Sequence, residues 1–597
     1  MTLHRRRILQ GAAAAALATR AGAAAPAGRK VLHLAFPAPE SSFDPTQTNS
    51  DLYSSTIIAQ ILEAPLAYDY LARPARLLPA TAAALPEVSA DGRTFTLRLR
   101  PGIFFQDDPA FKGVQRELVA QDYVYSIKRF YDPQYNSSDL YLFESLKLLG
   151  LSELREKALK SKQPFGYDTE AAGARAIDRY TLQVRLGETN PRFVYQLADP
   201  ATMGAVAREV VEFYGKDIGA HPVGTGAFRL KRWRRASQIV LERSPGYRGM
   251  RYEGTPAAEP LAQSIAARLA GKTLPLVDEV VVDIVEEDQP RWLTFLAGTY
   301  NWLALPSPYV AIAAPNGQIA PYLAKKGVRL QRSLQPAMSF TFFFMEDRLV
   351  GGYAPEKVAL RRAVGLAFDG DAYIRRVFGG QAVPAQSTIA PSTSGYDPAY
   401  KSEMSDHDPA RARALLDLYG YVDRDGDGWR ETPDGKPLVL KLATMASQRE
   451  RLANELWKRS LDRVGLKIEF EVSTWPELLK KSRAGSLMMW GYSWSAGSPD
   501  GGFFLGIGYG PNASEANDAR FNLLAFDRLF EAQRALPDGP ERERLMRQAK
   551  DLLVAYMPFK VHFHNMVNDL VQPRTQHYWR HPFMRDIWRF VDIDRGG

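Results

Sequence analysis

Leu438-Val-Leu-Lys-Leu442 alternates as a half-buried strand does, and Ala446 to Val464 follows with Leu452, Leu456 and Leu461 on one helical face. Gly465 stands where a helix C-cap belongs. Leu466-Lys-Ile-Glu-Phe-Glu-Val472 alternates strictly and reads as a second strand. Thr474-Trp-Pro-Glu477 has the spacing of a capping box with proline in the first turn, so a second helix starts there. Leu487-Met-Met-Trp490 reads as a third strand. Strand, helix, strand, helix, strand predicts a parallel sheet with right-handed crossovers.

Ligands bind such open sheets beyond the carboxyl ends of the strands. Those ends are Thr444-Met445, Ser473-Thr474-Trp475 and the run from Tyr492 to Asp500. Two tryptophans, Trp475 and Trp494, several small polar residues and the carboxylate of Asp500 therefore converge on one edge. Trp475 and Trp494 are either core aromatics or the walls of a binding crevice, and the strand-end placement favours the crevice.

A chain of 597 residues is too long for one core, so two to four domains are expected. Removing the four arginines of the leader, Arg5, Arg6, Arg7 and Arg20, leaves about +5 of the formal +9. Beyond Lys231-Arg-Trp-Arg-Arg235 there is no basic run, and that short run reads as a solvated strand edge, so no nucleic-acid partner is expected. With no cysteine there is no disulfide, thiolate metal site, cysteine nucleophile or lipid-anchor thiol. Arg5-Arg-Arg-Ile-Leu-Gln10 before Gly11-Ala-Ala-Ala-Ala-Ala-Leu-Ala18 reads as an export signal of the twin-arginine type, with Ala25-Pro-Ala27 a cleavage site. A soluble periplasmic product is expected.

Further along, Asp91-Gly92 is a hairpin turn before the alternating Thr94 to Leu99, and Leu118 to Arg129 is an amphipathic helix. His221-Pro-Val-Gly-Thr-Gly-Ala-Phe228 is a glycine turn entering a strand. Taken together, Phe43-Asp-Pro45, Ser89 to Arg100, Ala120 to Arg129, Val223 to Phe228, Leu360 to Asp369, Val377-Phe-Gly-Gly380 and Ser394-Gly-Tyr-Asp397 resemble, in that order, the family 5 extracellular solute-binding proteins. This is the oligopeptide, dipeptide and nickel-binding group that serves ABC importers.

The resemblance implies an α/β, two-lobed periplasmic binding protein fold with a hinge and an extra small domain on the first lobe. Carried onto this chain, 1–27 is the export signal and lobe I holds 28–60, 206–302 and 556–597. The small domain is 61–205 and lobe II is 303–555. It further implies a monomeric, non-enzymatic receptor without cofactor, closing on a peptide-like or other extended solute and delivering it to the membrane permease. Alternatives of the same fold bind a metal chelate, haem, a sugar or an amphipathic small molecule. A secreted hydrolase, the competing class, needs a nucleophile with its base or a metal cluster. No such motif stands in the sequence.

One departure from the family pattern bears on the ligand. Peptide binders of the family carry Trp-x-Ala-Asp at the third strand end, where the aspartate pairs with the ligand's amino terminus. Here the segment is Trp494-Ser495-Ala496-Gly497, and the nearest acid is Asp500. Because a buried ammonium without a carboxylate is costly, either Asp500 takes the role or the ligand lacks a free α-amine, and the second is favoured. The resemblance adds Asn49 and Asp51 from the first lobe, Tyr141 from the small domain and the backbone of Gly224-Thr-Gly226.

Two acidic or imidazole groupings complete the reading. Asp423, Asp425, Asp427 and Asp434 have calcium-loop spacing around Gly428, yet a strand rather than a helix follows and the twelfth position is aspartate. An Asp/Gly-rich connecting turn fits as well, and no metal is expected. His562-Phe-His564 sets two imidazoles on one strand face with no third ligand near in sequence.

Overall fold

A computed structural model describes residues 28–48 and 51–594; the leader and Asn49 lie outside the described residues. The Leu438–Trp490 stretch folds as strand Val439–Thr444, helix Gln448–Asp462, strand Lys467–Val472, helix Trp475–Arg483 and strand Met489–Ser495. Val439–Thr444 is the middle strand, parallel to Lys467–Val472 on one side and to Met489–Ser495 on the other. Ser447 caps the first helix by accepting from the Glu450 N–H at 3.1 Å. Gly465 follows that helix with φ +74°, a conformation glycine adopts without a Cβ penalty. Thr474 occupies the N-cap of the second helix, but its side chain makes no capping hydrogen bond, so that half of the expected capping box is not made.

The third strand is longer than its apolar run suggests. Its other edge is antiparallel to Ala337–Phe343, pairing from Phe343↔Met489 to Ala337↔Ser495. These ladder bonds carry the strand on through Gly491, Ser493 and Ser495, which alternate with the aromatics Trp490, Tyr492 and Trp494. The parallel unit is therefore one end of a mixed eight-stranded sheet. Every residue of Ala337–Phe343 is buried, as expected of a strand covered on both faces.

The strand Phe559–Val571 ties the molecule together. It pairs with Ala337–Phe343 through its first half and with Arg329–Leu334 and Trp302–Ala304 through its second. Phe559 and Val561 belong to a core spanning Met338 to Val561, whereas Val571 belongs to another running from Leu32 to Val282 and resuming to Ile593. Leu570 joins a smaller third core with Trp292 and Val310. Two main apolar cores thus define two lobes.

The first lobe contains a four-stranded sheet ordered Val31–Phe36, Glu279–Ile284, Gln238–Arg243, Phe228–Arg234. The basic run Lys231–Arg235 lies at its edge strand, where Lys231 pairs with Glu279 at 2.6 Å. A second four-stranded antiparallel sheet holds Glu87–Val88, Thr94–Arg98, Thr181–Arg185 and Ala174–Asp178, with Gly92 at φ +64° in the hairpin turn. Among the described residues no helix is long and apolar enough to cross a membrane.

Candidate functional site

Beyond the carboxyl ends of the parallel strands lies a cavity of about 300 Å³. Trp475, one residue past the Thr474 cap, and Tyr492, on the strand that outruns its neighbour, form one wall. Trp457 of the Gln448–Asp462 helix adds a further aromatic, with Phe340, Tyr373 and Phe378. Trp475 is 43% exposed and packs on Trp490 at 5.0 Å between ring centroids, while Trp490 is only 1% exposed. Trp475 thus offers a free ring face and Trp490 anchors it from the core. The Tyr492 hydroxyl donates to Asp518 at 2.7 Å, which fixes the phenol ring.

Thr341 and His562 are part of the cavity's polar lining, joined by a 2.9 Å bond between Thr341 Oγ1 and His562 Nε2. His562 Nδ1 is buried without a partner. Burial first, and the Lys560 charge second, hold this imidazole well below its ordinary pKa, so it is neutral. His564, two residues on, is held to about 4 by burial, and its Nδ1 lies 3.1 Å from the Ala337 carbonyl. Glu450 is the carboxylate on the cavity wall, 3.8 Å from Arg449 Nε.

The loop after Ser495 separates two residues that the sequence leaves together. Trp494 stacks obliquely on Phe503 at 4.8 Å, and Ser495 is exposed. Ala496 is buried and its N–H donates to the Pro336 carbonyl at 2.8 Å. Gly497 is exposed, and a Cβ built on it would meet no atom within 4 Å. Asp500 points elsewhere. It pairs with Arg542 at 2.5 Å and Arg192 at 3.7 Å, and it accepts from the Gly502 N–H at 2.9 Å.

Arg192 reaches Asp500 from the first lobe's core, where its neighbour Phe193 is buried, and also donates to the carbonyls of Leu536 (2.7 Å) and Arg534. Tyr195 donates to Asp538 at 3.1 Å, and Asp538 pairs with Arg542 at 2.5 Å. The result is a clasp between lobes, with two guanidiniums and two carboxylates alternating. Arg192 and Arg542 keep 8% and 1% of their side chains exposed.

The remaining expected residues are placed as follows. Asp51 caps the Leu52–Ile61 helix, accepting from the N–H groups of Tyr53 at 2.9 Å and Ser54 at 3.1 Å and from the Ser54 hydroxyl. Tyr141 is 61% exposed on the Leu140–Ser145 helix. A Cβ on Gly224 or Gly226 would lie 2.1 or 2.6 Å from the Ile61 carbonyl oxygen, so these glycines serve a close backbone approach. Asp423, Asp425 and Asp427 do bring their carboxylates together, but the fourth acid within 4.8 Å is Glu431. Asp434 instead pairs with Lys436 at 2.7 Å. Among the described residues, no other group of three acids, histidines or cysteines is close enough to hold a metal.

Tyr373, Phe378, Trp457 and Arg449 were not anticipated. Tyr373 reads in sequence as an ordinary helix residue and Phe378 as part of the Val377-Phe-Gly-Gly380 segment, while Arg449 and Trp457 lie on the helix that follows the first parallel strand.

Residues 76–516 match the model of the bacterial extracellular solute-binding proteins, family 5. The chain is 25% identical to the di/tripeptide-binding protein 2 of Pseudomonas aeruginosa, covering 97% of this chain and 98% of that one. It is 24% identical to the heme-binding protein A of Haemophilus influenzae, over 85% and 83% of the two. Among solved structures, HbpA2 from Haemophilus parasuis superposes with a TM-score of 0.73 at 18% identity, covering 95% and 99%. With its two lobes, the crevice at the strand ends and a family match over most of its length, this chain belongs to family 5 of the bacterial extracellular solute-binding proteins.

Proposed function

We propose that this protein is the periplasmic receptor of an ABC importer and that its solute is extended, in part apolar and without a free α-amino group. The leader exports it by the twin-arginine route, and as a monomer it closes its lobes on the solute and passes it to the permease. No bond is made or broken. Closure is a hinge motion about the strands shared by the lobes, and a solute touching both lobes stabilises the closed population. The proposed lobes and small domain keep the boundaries expected from sequence, with the crossing strand Phe559–Val571 carrying the hinge.

The observation that carries the ligand reading is the fate of the loop's carboxylate. Position 497 is glycine, and Asp500 is already held by two guanidiniums and a backbone N–H. An ammonium would have to break that network to reach it, exposing a buried arginine to the cost of an unpaired charge. Trp475, Trp494 and the exposed Ser495 are the proposed ligand contacts on the second lobe, joined by Ala496 and Gly497 through their backbone. Asn49, Asp51 and Tyr141 are the proposed contacts on the first. A relative that binds di- and tripeptides and another that binds heme both fit the fold, so ligand class rests on the pocket's own chemistry.

Native mass spectrometry of the protein purified from the periplasm, with its solute retained, tests this reading. A single mass lacking a primary α-amine supports it. A ladder of ordinary peptides refutes the ligand reading, and turnover of a peptide or glycoside refutes the receptor.

A further inference from the structure

Beside the aromatic cavity, and meeting it at Arg449, is a larger basin of about 1360 Å³. That exceeds the roughly 300–1,000 Å³ of ordinary ligand pockets and suits an extended solute. One wall holds Pro306 together with Val310 and Ala314 of the third core. The other comes from the end of the Gly370–Val377 helix and the start of the Gln448–Asp462 helix, both on the second lobe.

The charge on these walls is one-sided. Arg332, Arg375, Arg376 and Arg449 line the basin from three separate elements. Its one lining carboxylate, Asp288, is taken by Arg291, three residues on in the same helix. Among the described residues, Arg332, Arg375 and Arg376 make no ion pair or side-chain hydrogen bond, while Arg449 lies 3.8 Å from Glu450 and over the Phe378 ring, 5.9 Å from its centroid. The guanidinium fork matches a carboxylate or phosphate with two parallel hydrogen bonds and loses little hydration in doing so. Four such exposed groups on one concave surface focus a positive field that draws an anion in. Closing the lobes over a neutral solute would desolvate cations with nothing to neutralise them.

We infer that the solute carries at least two anionic groups, carboxylate or phosphate, seated among Arg332, Arg375, Arg376 and Arg449, with its apolar portion entering the aromatic cavity. This rests on the receptor reading above and names its substrate class.

The test uses the full mature chain and an Arg375→Ala/Arg376→Ala double variant, both residues being exposed so that the fold is kept; melting without solute checks this. N-acetyl-Glu-Glu-Glu and N-acetyl-Gln-Gln-Gln-amide are the probes, titrated by calorimetry at about 50 mM and about 300 mM salt. The acidic probe is expected to bind at least about tenfold tighter than the neutral one, to weaken with salt, and to lose about tenfold in the double variant. The solute released from native protein is expected to bear two or more acidic groups, and its phosphorus content separates phosphate from carboxylate. Equal binding of both probes, an unchanged double variant, or a retained neutral or cationic solute overturns the inference and leaves the receptor standing. No retained solute and no binding of either probe overturns both.

Discussion

Replacing Arg192 by methionine should open the lobes without unfolding them. The side chain is 8% exposed and spans the gap from the first lobe to the second, giving two hydrogen bonds to the Leu536 and Arg534 carbonyls and a 3.7 Å approach to Asp500. Hydrogen bonds from a charged donor contribute about 1.5–3 kcal/mol each, against which the desolvation of the guanidinium must be set. That cost is real here: burial, and then repulsion from Arg542, depress the Arg192 pKa. Arg542 still balances Asp500 and Asp538 in the variant, so no buried carboxylate is orphaned. A net loss of about 2–3 kcal/mol, confined to the closed state, lowers the closed-to-open ratio roughly 30- to 150-fold. Affinity for the natively retained solute should fall by a similar factor, and small-angle scattering of the solute-loaded protein should show a larger radius of gyration. The unfolding midpoint of the solute-free protein should barely move. Glu188→Ala serves as the control, since its pair with Arg534 is about half exposed on both sides and contributes at most ~1 kcal/mol. An Arg192→Met protein with solute affinity within twofold of wild type and unchanged scattering would falsify the clasp.

Three further outcomes are expected. Gly497→Asp fills open space without steric conflict and should give the receptor at least about tenfold tighter binding of trialanine, whose free amine then has a carboxylate; calorimetry that finds no gain removes position 497 from the ligand site. Trp475→Ala should weaken solute binding while costing little stability, whereas Trp490→Ala, at a site 1% exposed, should cost about 3–5 kcal/mol in urea unfolding; the reverse pattern would make Trp475 the core residue. His564 titrates at about 4 when folded and near 6.5 when unfolded, so only the unfolded chain is protonated between those values. Stability should therefore drop as pH falls from 6.5 to about 4, by about 3 kcal/mol from this residue, and His564→Gln should flatten that part of the profile.

What could be read from the residues was whatever local periodicity enforces. Alternation at Leu466–Val472 and the helical face of Leu452, Leu456 and Leu461 led to the parallel unit, and the strand-end rule then put Trp475 on a cavity wall. The strand from Met489 to Ser495 was cut short at Trp490: its aromatics go on alternating to Trp494, but glycine and serine fill the positions between them, and the partner that holds the second half lies more than 140 positions earlier. The arginine basin was invisible for the same reason. Arg332, Arg375, Arg376 and Arg449 each look like a solvated surface residue, and only the packing of three elements gathers them. Asp500 was legible as a carboxylate near the site but not as a spent one, since Arg192 stands 308 positions away.

That last pairing links the clasp to the ligand. The loop after the third parallel strand holds one carboxylate, and the structure commits it to lobe-to-lobe contact. A carboxylate at position 497 would stand in open space, free to answer a cation from outside the protein; at position 500 it answers cations of the protein itself. The charge left over to meet a solute is then positive, on Arg332, Arg375, Arg376 and Arg449. A receptor so arranged closes most favourably when the solute brings the missing anions. Its affinity should then fall steeply with ionic strength, while that of Gly497→Asp for trialanine should fall far less, because a single ion pair releases fewer screened charges than four converging guanidiniums. Equal salt dependence of the two would break the link between a diverted carboxylate and an anion-seeking cleft.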